Sequence, residues 1–260
     1  MKSKCRIAPQ LQDERKTGNG LSHFDNLTSP ITIEAKDVKK QDSTMKAATY
    51  IPFKAKSGQE NTLANFLLEG AKLVAKTEPN TLYWYALNTT DGGFGIFDFF
   101  PDNAGRSEHF DGQVAAALNT NADALVHQGW EDGIVANITN SEVLSYKEPA
   151  KHSARATQAT YIVLNAQPGK EQVLEQILTG AAAVIEETEA KTLLWTSLKL
   201  NNSTFGIFDT FTDQSGRDAH FAGKVAAALK AQAEHLIVGG WENGVLKSMY
   251  NFEVIAEAEK

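Results

Sequence analysis

The 260-residue chain has a single cysteine, Cys5. One thiol excludes an intramolecular disulfide, a cysteine-based zinc site and an iron–sulfur cluster. At the extreme N-terminus it reads as an incidental free thiol rather than a nucleophile. The net charge is -7 and no Lys/Arg cluster occurs, so the basic footprint needed for nucleic acid or for an anionic membrane surface is missing. No run approaches the ~18 apolar residues of a membrane helix. The first residues lack the apolar core of a secretory signal, so a cytoplasmic location is the default expectation. Gly92-Gly93 is too short for a phosphate-binding loop, and no Gly-x-Ser-x-Gly occurs. His23, His127, His152 and His235 show no ligand spacing and do not recur, so no metal is expected.

What the chain does have is a repeat. Phe94 to Leu118, FGIFDFFPDNAGRSEHFDGQVAAAL, returns as Phe205 to Leu229, FGIFDTFTDQSGRDAHFAGKVAAAL. The same offset joins Tyr50 to Tyr161, Gly58 to Gly169, Trp84 to Trp195 and Trp130 to Trp241. Each copy is roughly 100 residues, longer than the units of solenoids and propellers, so a duplicated globular domain is expected. The division is residues 1–45 as a disordered N-terminal extension, 46–147 as the first copy, 148–156 as a linker and 157–260 as the second. Ile31 to Val38 alternates weakly enough to leave an edge strand open. Hydrophobic content of 42% and charged content of 22% suit a globular protein.

Each copy reads β-α-β-β-α-β. TYIPFK and TYIVLN open the copies as strands, and Pro52 suits an edge or a bulge. Leu63, Phe66, Leu67, Ala71 and Val74, matched by Leu174, Ile177, Leu178, Ala182 and Ile185, then mark one helical face. TLYWYAL or TLLWTSL forms a hairpin with the aromatic strand FGIFD. Asp102 and Asp213 are placed to cap one continuing helix, and the Gly-Trp-Glu segments at 129–131 and 240–242 lead as loops to a last strand. This is the ferredoxin-like order of an α+β fold, a four-stranded antiparallel sheet with helices on one face. Trp84, Phe97, Phe100, Trp195, Phe208 and Phe211 exceed what one helical layer covers, so the two sheets should face each other as a barrel.

The strand ends Asp98-Phe99-Phe100 and Asp209-Thr210-Phe211, with His109-Phe110 and His220-Phe221 on the helix, resemble the antibiotic biosynthesis monooxygenase group of the dimeric α+β barrel superfamily. The resemblance covers each copy. It implies that the tandem chain forms a pseudo-dimer by itself, with further homo-oligomerisation open. It also implies cofactor-independent oxidation of a small aromatic or quinol substrate by molecular oxygen, with substrate held between sheet and helices. Many members carry a second histidine five positions after the first; here Val114 and Val225 stand there.

His109 and His220 are the candidate general bases, since imidazole titrates near neutral pH. The plain alternative is a helix histidine bonded to a backbone carbonyl. Asp98 and Asp209 end an aromatic strand, where a buried carboxylate needs a partner; Arg106 and Arg217 are candidates, and so is a capping role. The same two arginines, near the positive end of a helix, could instead meet an anionic ligand. Trp84 and Trp195 are core or substrate-stacking residues. Tyr83 and Tyr85 have Leu194 and Thr196 as counterparts, so the first copy offers the more polar pocket lining. The contrasting function is a non-catalytic barrel that binds a small hydrophobic ligand or a protein.

Overall fold

A computed structural model describes residues 45–89, 92–150 and 153–259. The extension expected to be disordered, including the weak strand pattern at Ile31–Val38, lies outside the described residues apart from Met45, which is buried in the core.

In the first copy β1 (Ala47–Lys54) is followed by α1 (Glu60–Thr77), β2 (Tyr83–Asn88), β3 (Gly93–Phe100), α2 (Asn103–Phe110), α3 (Gln113–Leu125) and β4 (Thr139–Lys147). The second repeats the order as β5 (Gln158–Asn165), α4 (Glu171–Thr188), β6 (Thr192–Lys199), β7 (Thr204–Phe211), α5 (Gln214–Phe221), α6 (Lys224–Leu236) and β8 (Met249–Glu259). The strands close into one antiparallel barrel in the order β1-β3-β2-β8-β5-β7-β6-β4. Each copy contributes a ferredoxin-like sheet. The seams are β2 against β8 and β4 against β6, so each seam joins strands of different copies. Pro52 falls beyond the stretch where β4 pairs with β1, which ends at Tyr50; its missing N–H therefore interrupts no ladder on that side.

Equivalent residues meet in the barrel. Phe97 stacks on Phe208 at 4.0 Å between centroids, and Tyr50 lies 4.9 Å from Tyr161. Each of these contacts joins a position to its counterpart at the repeat offset.

Strand alternation corrects part of the aromatic assignment. Trp84 pairs with Asp98 across the β2–β3 ladder and faces the helices, while Tyr83 and Tyr85 pair with Phe99 and Phe97 and face the barrel. Trp84 therefore packs with Leu67, Ala71 and Val114 rather than inside the barrel, and Trp195 packs with Leu178, Ala182 and Val225 in the second copy. Phe100 and Phe211 also turn away from the barrel, each ring centroid 5.4 Å from that of a histidine. Of the six aromatics expected between the sheets only Phe97 and Phe208 are there, joined by Tyr83, Tyr85 and Phe99.

The helix expected as one piece after β3 is two. Asp102 and Asp213 cap it as anticipated, accepting from the N–H groups of Gly105 and Gly216 at 2.9 and 2.8 Å. It breaks at Gly112 and Gly223, whose extended backbone restarts a second helix. The Gly-Trp-Glu segment, expected as a loop, begins a π-helical turn over Gly240–Val245 in the second copy. No helix among the described residues is long and apolar enough to cross a membrane.

Because both seams join different copies, a separated half would expose its barrel face, at about 25 cal/mol per Å² of apolar surface. Residues 157–260 expressed alone should appear as a homodimer or unfolded in sedimentation and thermal melting. A cooperatively folding monomer would contradict the role given to the seams.

Candidate functional site

The site forms where three elements end together. β3 brings Asp98, fully buried on the helix face. α2 brings His109, which is 5% exposed. The C-cap of α1 brings Glu78, 7% exposed. His109 Nδ1 lies 2.5 Å from Glu78 Oε2, and Nε2 lies 3.2 Å from Asp98 Oδ2. The second contact is an ion pair rather than an aligned hydrogen bond, since neither Asp98 oxygen receives a donor in hydrogen-bond geometry. Thr81 Oγ1 donates to Glu78 Oε2 at 3.2 Å, and Glu78 Oε1 accepts the Val114 N–H of the first turn of α3 at 3.3 Å. The glutamate thus ties the end of one helix to the start of another.

The second copy repeats the arrangement. His220 Nδ1 is 2.6 Å from Glu189 Oε2 and Nε2 is 3.2 Å from Asp209 Oδ2.

Burial alone would lower the histidine pKa values, because it disfavours imidazolium. The two carboxylates on each ring outweigh it and raise His109 to about 9 and His220 to about 10. Asp98 and Asp209 are pushed up by burial, against the pull of histidine and arginine. Glu78 is held below its usual range: its burial opposes this, and the His109 contacts with the Val114 and Thr81 hydrogen bonds prevail. At neutral pH His109 is accordingly a buried cation between two acidic groups, not a histidine resting on a backbone carbonyl.

The expected pairing of Asp98 with Arg106 is replaced by the histidine contact. Arg106 Nη2 donates to the carbonyls of Ala48 and Ser141, both at 2.9 Å, and acts on Asp98 only through its charge. Arg217 does the same with Ala159 and Phe252. These arginines fasten α2 and α5 to the adjoining strands. Tyr83 and Tyr85 stand on the opposite face of the sheet from His109, so the structure does not bring them to the histidine. Burial pushes both phenols up and keeps them protonated.

A surface cleft of about 340 Å³ reaches this cluster in the first copy, lined among others by Glu78, Asn80, Thr81, Glu108, His109 and Asp111. The glutamates that complete the clusters, Glu78 and Glu189, and the threonines beside them, Thr81 and Thr192, were not singled out in the sequence. Their signal was available: each recurs at the repeat offset, as do the histidines. Glu78, His109 and Asp98 lie in a line with one carboxylate on each ring nitrogen, so they do not converge on a common point. Among the described residues no group of three or more histidine, cysteine, aspartate or glutamate side chains is placed to hold a metal ion.

No family model matches the sequence and no curated protein matches it. Solved structures do. A proposed monooxygenase from Fusobacterium nucleatum subsp. nucleatum superposes with a TM-score of 0.68 at 16% identity, over 84% of this chain and 95% of its own. An anthrone oxidase-like protein superposes with a TM-score of 0.51 at 9% identity, over 83% and 93% of the two chains. A Nitrosomonas europaea protein of unknown function is 41% identical over 41% of this chain and 97% of its own, with a TM-score of 0.37.

Two measurements probe the cluster. The histidine pKa values are raised from about 6.5 in the unfolded chain to about 9 and 10. The stability they contribute is full below pH ~6.5 and is lost as pH rises through the folded values. The melting temperature should therefore fall between pH 7 and 10, and the double variant H109Q/H220Q should show a shallower fall over that range. The second concerns Gly112, where a Cβ would meet Glu78 Oε1 at 2.7 Å and the His109 carbonyl at 2.9 Å. Gly112→Ala must displace the buried glutamate, and should destabilise the fold by about 1–3 kcal/mol in denaturant unfolding.

Proposed function

We propose that this chain, which carries the dimeric α+β barrel fold of the antibiotic biosynthesis monooxygenases, oxidises a small electron-rich aromatic or quinol with molecular oxygen and without a cofactor. The observation that carries the reading is the Glu78–His109–Asp98 line, of which Glu78 and His109 line an open cleft. A substrate hydroxyl or activated C–H in the cleft meets the Glu78 carboxylate with the imidazolium behind it. Its proton passes to that pair, and the cation offsets the charge left on the substrate anion. The anion reduces oxygen directly. One oxygen atom enters the product, the other leaves as water, and the substrate supplies all four electrons. Similarity to an anthrone oxidase-like protein supports this substrate class.

The second reading is a non-catalytic barrel that binds a small hydrophobic ligand or a protein. It is favoured by one observation: the same buried triple stands in both copies, with both ring nitrogens of each histidine engaged.

Oxygen consumption by metal-free protein with a panel of quinols and anthrones separates the two. The oxygenase reading expects turnover that falls by roughly a hundredfold in His109→Ala, with His220→Ala acting mainly on the melting temperature. Absence of turnover across the panel favours the binding barrel. Wild-type rates in both variants would make the histidines structural.

A further inference from the structure

The two copies share the buried triple but differ around it. At the cleft of the first copy stand Asn80, Glu108 and Asp111; their counterparts in the second are Lys191, Ala219 and Ala222. Asn80 Nδ2 donates to Glu108 Oε2 at 2.5 Å, which holds that carboxylate at the cleft wall. Lys191 instead folds onto the start of α5, with Nζ 2.6 Å from Ser215 Oγ and 3.5 Å from Asp213 Oδ2. Gln113, also at the cleft, has Lys224 as its counterpart. The first-copy cleft is thus walled by three carboxylates, Glu78, Glu108 and Asp111, at positions where the second copy keeps only the buried glutamate and adds two lysines.

The α3 N-terminus opens beside the cleft and would ordinarily attract an anion. Glu78 Oε1 already accepts its Val114 N–H, so the molecule's own carboxylate occupies that place.

From this arrangement we infer that the first-copy cleft selects ligands by charge: it takes neutral or cationic aromatics that donate hydrogen bonds and rejects aromatic carboxylates, with Glu108 and Asp111 as the specificity-determining residues. The inference rests on the cleft being the substrate site, and deepens the proposed function by naming the substrate class. A carboxylate entering here would meet three carboxylates, the exposed Glu108 and Asp111 and the buried Glu78, against the single imidazolium of His109, so at low salt the nearby charge is on balance repulsive. A hydroxyl or ammonium group finds acceptors on Glu108 and Asp111 that need no rearrangement of the buried triple.

The test is binding, read by calorimetry or ligand-observed NMR at low salt, of three ring-matched probes: hydroquinone, 2,5-dihydroxybenzoate and 2,5-dihydroxybenzylamine. Wild type should bind the amine at least about tenfold more tightly than the benzoate, the order of discrimination expected for charges a few ångströms apart near a surface. In the double variant E108Q/D111N, which keeps shape and hydrogen bonding, the ratio should collapse to within about threefold. An unchanged melting temperature checks that the variant is folded. Equal affinity for amine and benzoate in wild type, an unchanged ratio in the variant, or no binding of any probe would each overturn the inference. Charge-selective binding without oxygen consumption would leave it standing and remove the oxygenase reading instead.

Discussion

Closure of the sheet is the constraint on which the rest depends. Neither four-stranded sheet has a protected edge by itself; β2 finds its outer partner in β8 and β4 finds its own in β6, each from the other copy. Closing the barrel removes edges that would otherwise be free to pair with other chains. It also brings equivalent residues together, Phe97 on Phe208 and Tyr50 beside Tyr161. With the barrel filled by rings, a cleft large enough for a small molecule lies outside it, at the helix ends.

There the buried triple does for the helices what closure does for the strands. Three polar groups from a strand, a helix and a helix cap would each be costly to bury alone. Together they offset one another, and the raised histidine and lowered Glu78 pKa values are the electrostatic trace of that pairing. Gly112 and Gly223 leave room for the glutamate, which explains why glycine stands at the break. Because the triple occurs twice, its structural contribution belongs to both copies. Differences in what surrounds it, Glu108 and Asp111 against Ala219 and Ala222, are where the copies can diverge in ligand.

The barrel interior diverges too. Thr196 and Thr210 stand where the first copy has Tyr85 and Phe99, and the Tyr85 ring lies 5.6 Å from that of Phe208 of the other copy.

The repeat, the order of elements and the capping aspartates were legible in the sequence, because each follows from local spacing; the facing of two sheets was expected from a count of aromatics of which only Phe97 and Phe208 lie between them. His109 and Asp98 were legible as candidates by recurrence, and Glu78 carried the same signal. What only the tertiary structure decided is which groups meet. Whether Trp84 or Tyr85 faces the barrel depends on strand register, which reverses with a shift of one residue. Whether Asp98 pairs with Arg106 or His109 depends on how α2 lies across β3. Glu78 and His109 are 31 positions apart in the chain, and only the packing of α1 against the α2–α3 break puts a carboxylate on the imidazole. Local propensity carries no information about a contact made across that distance.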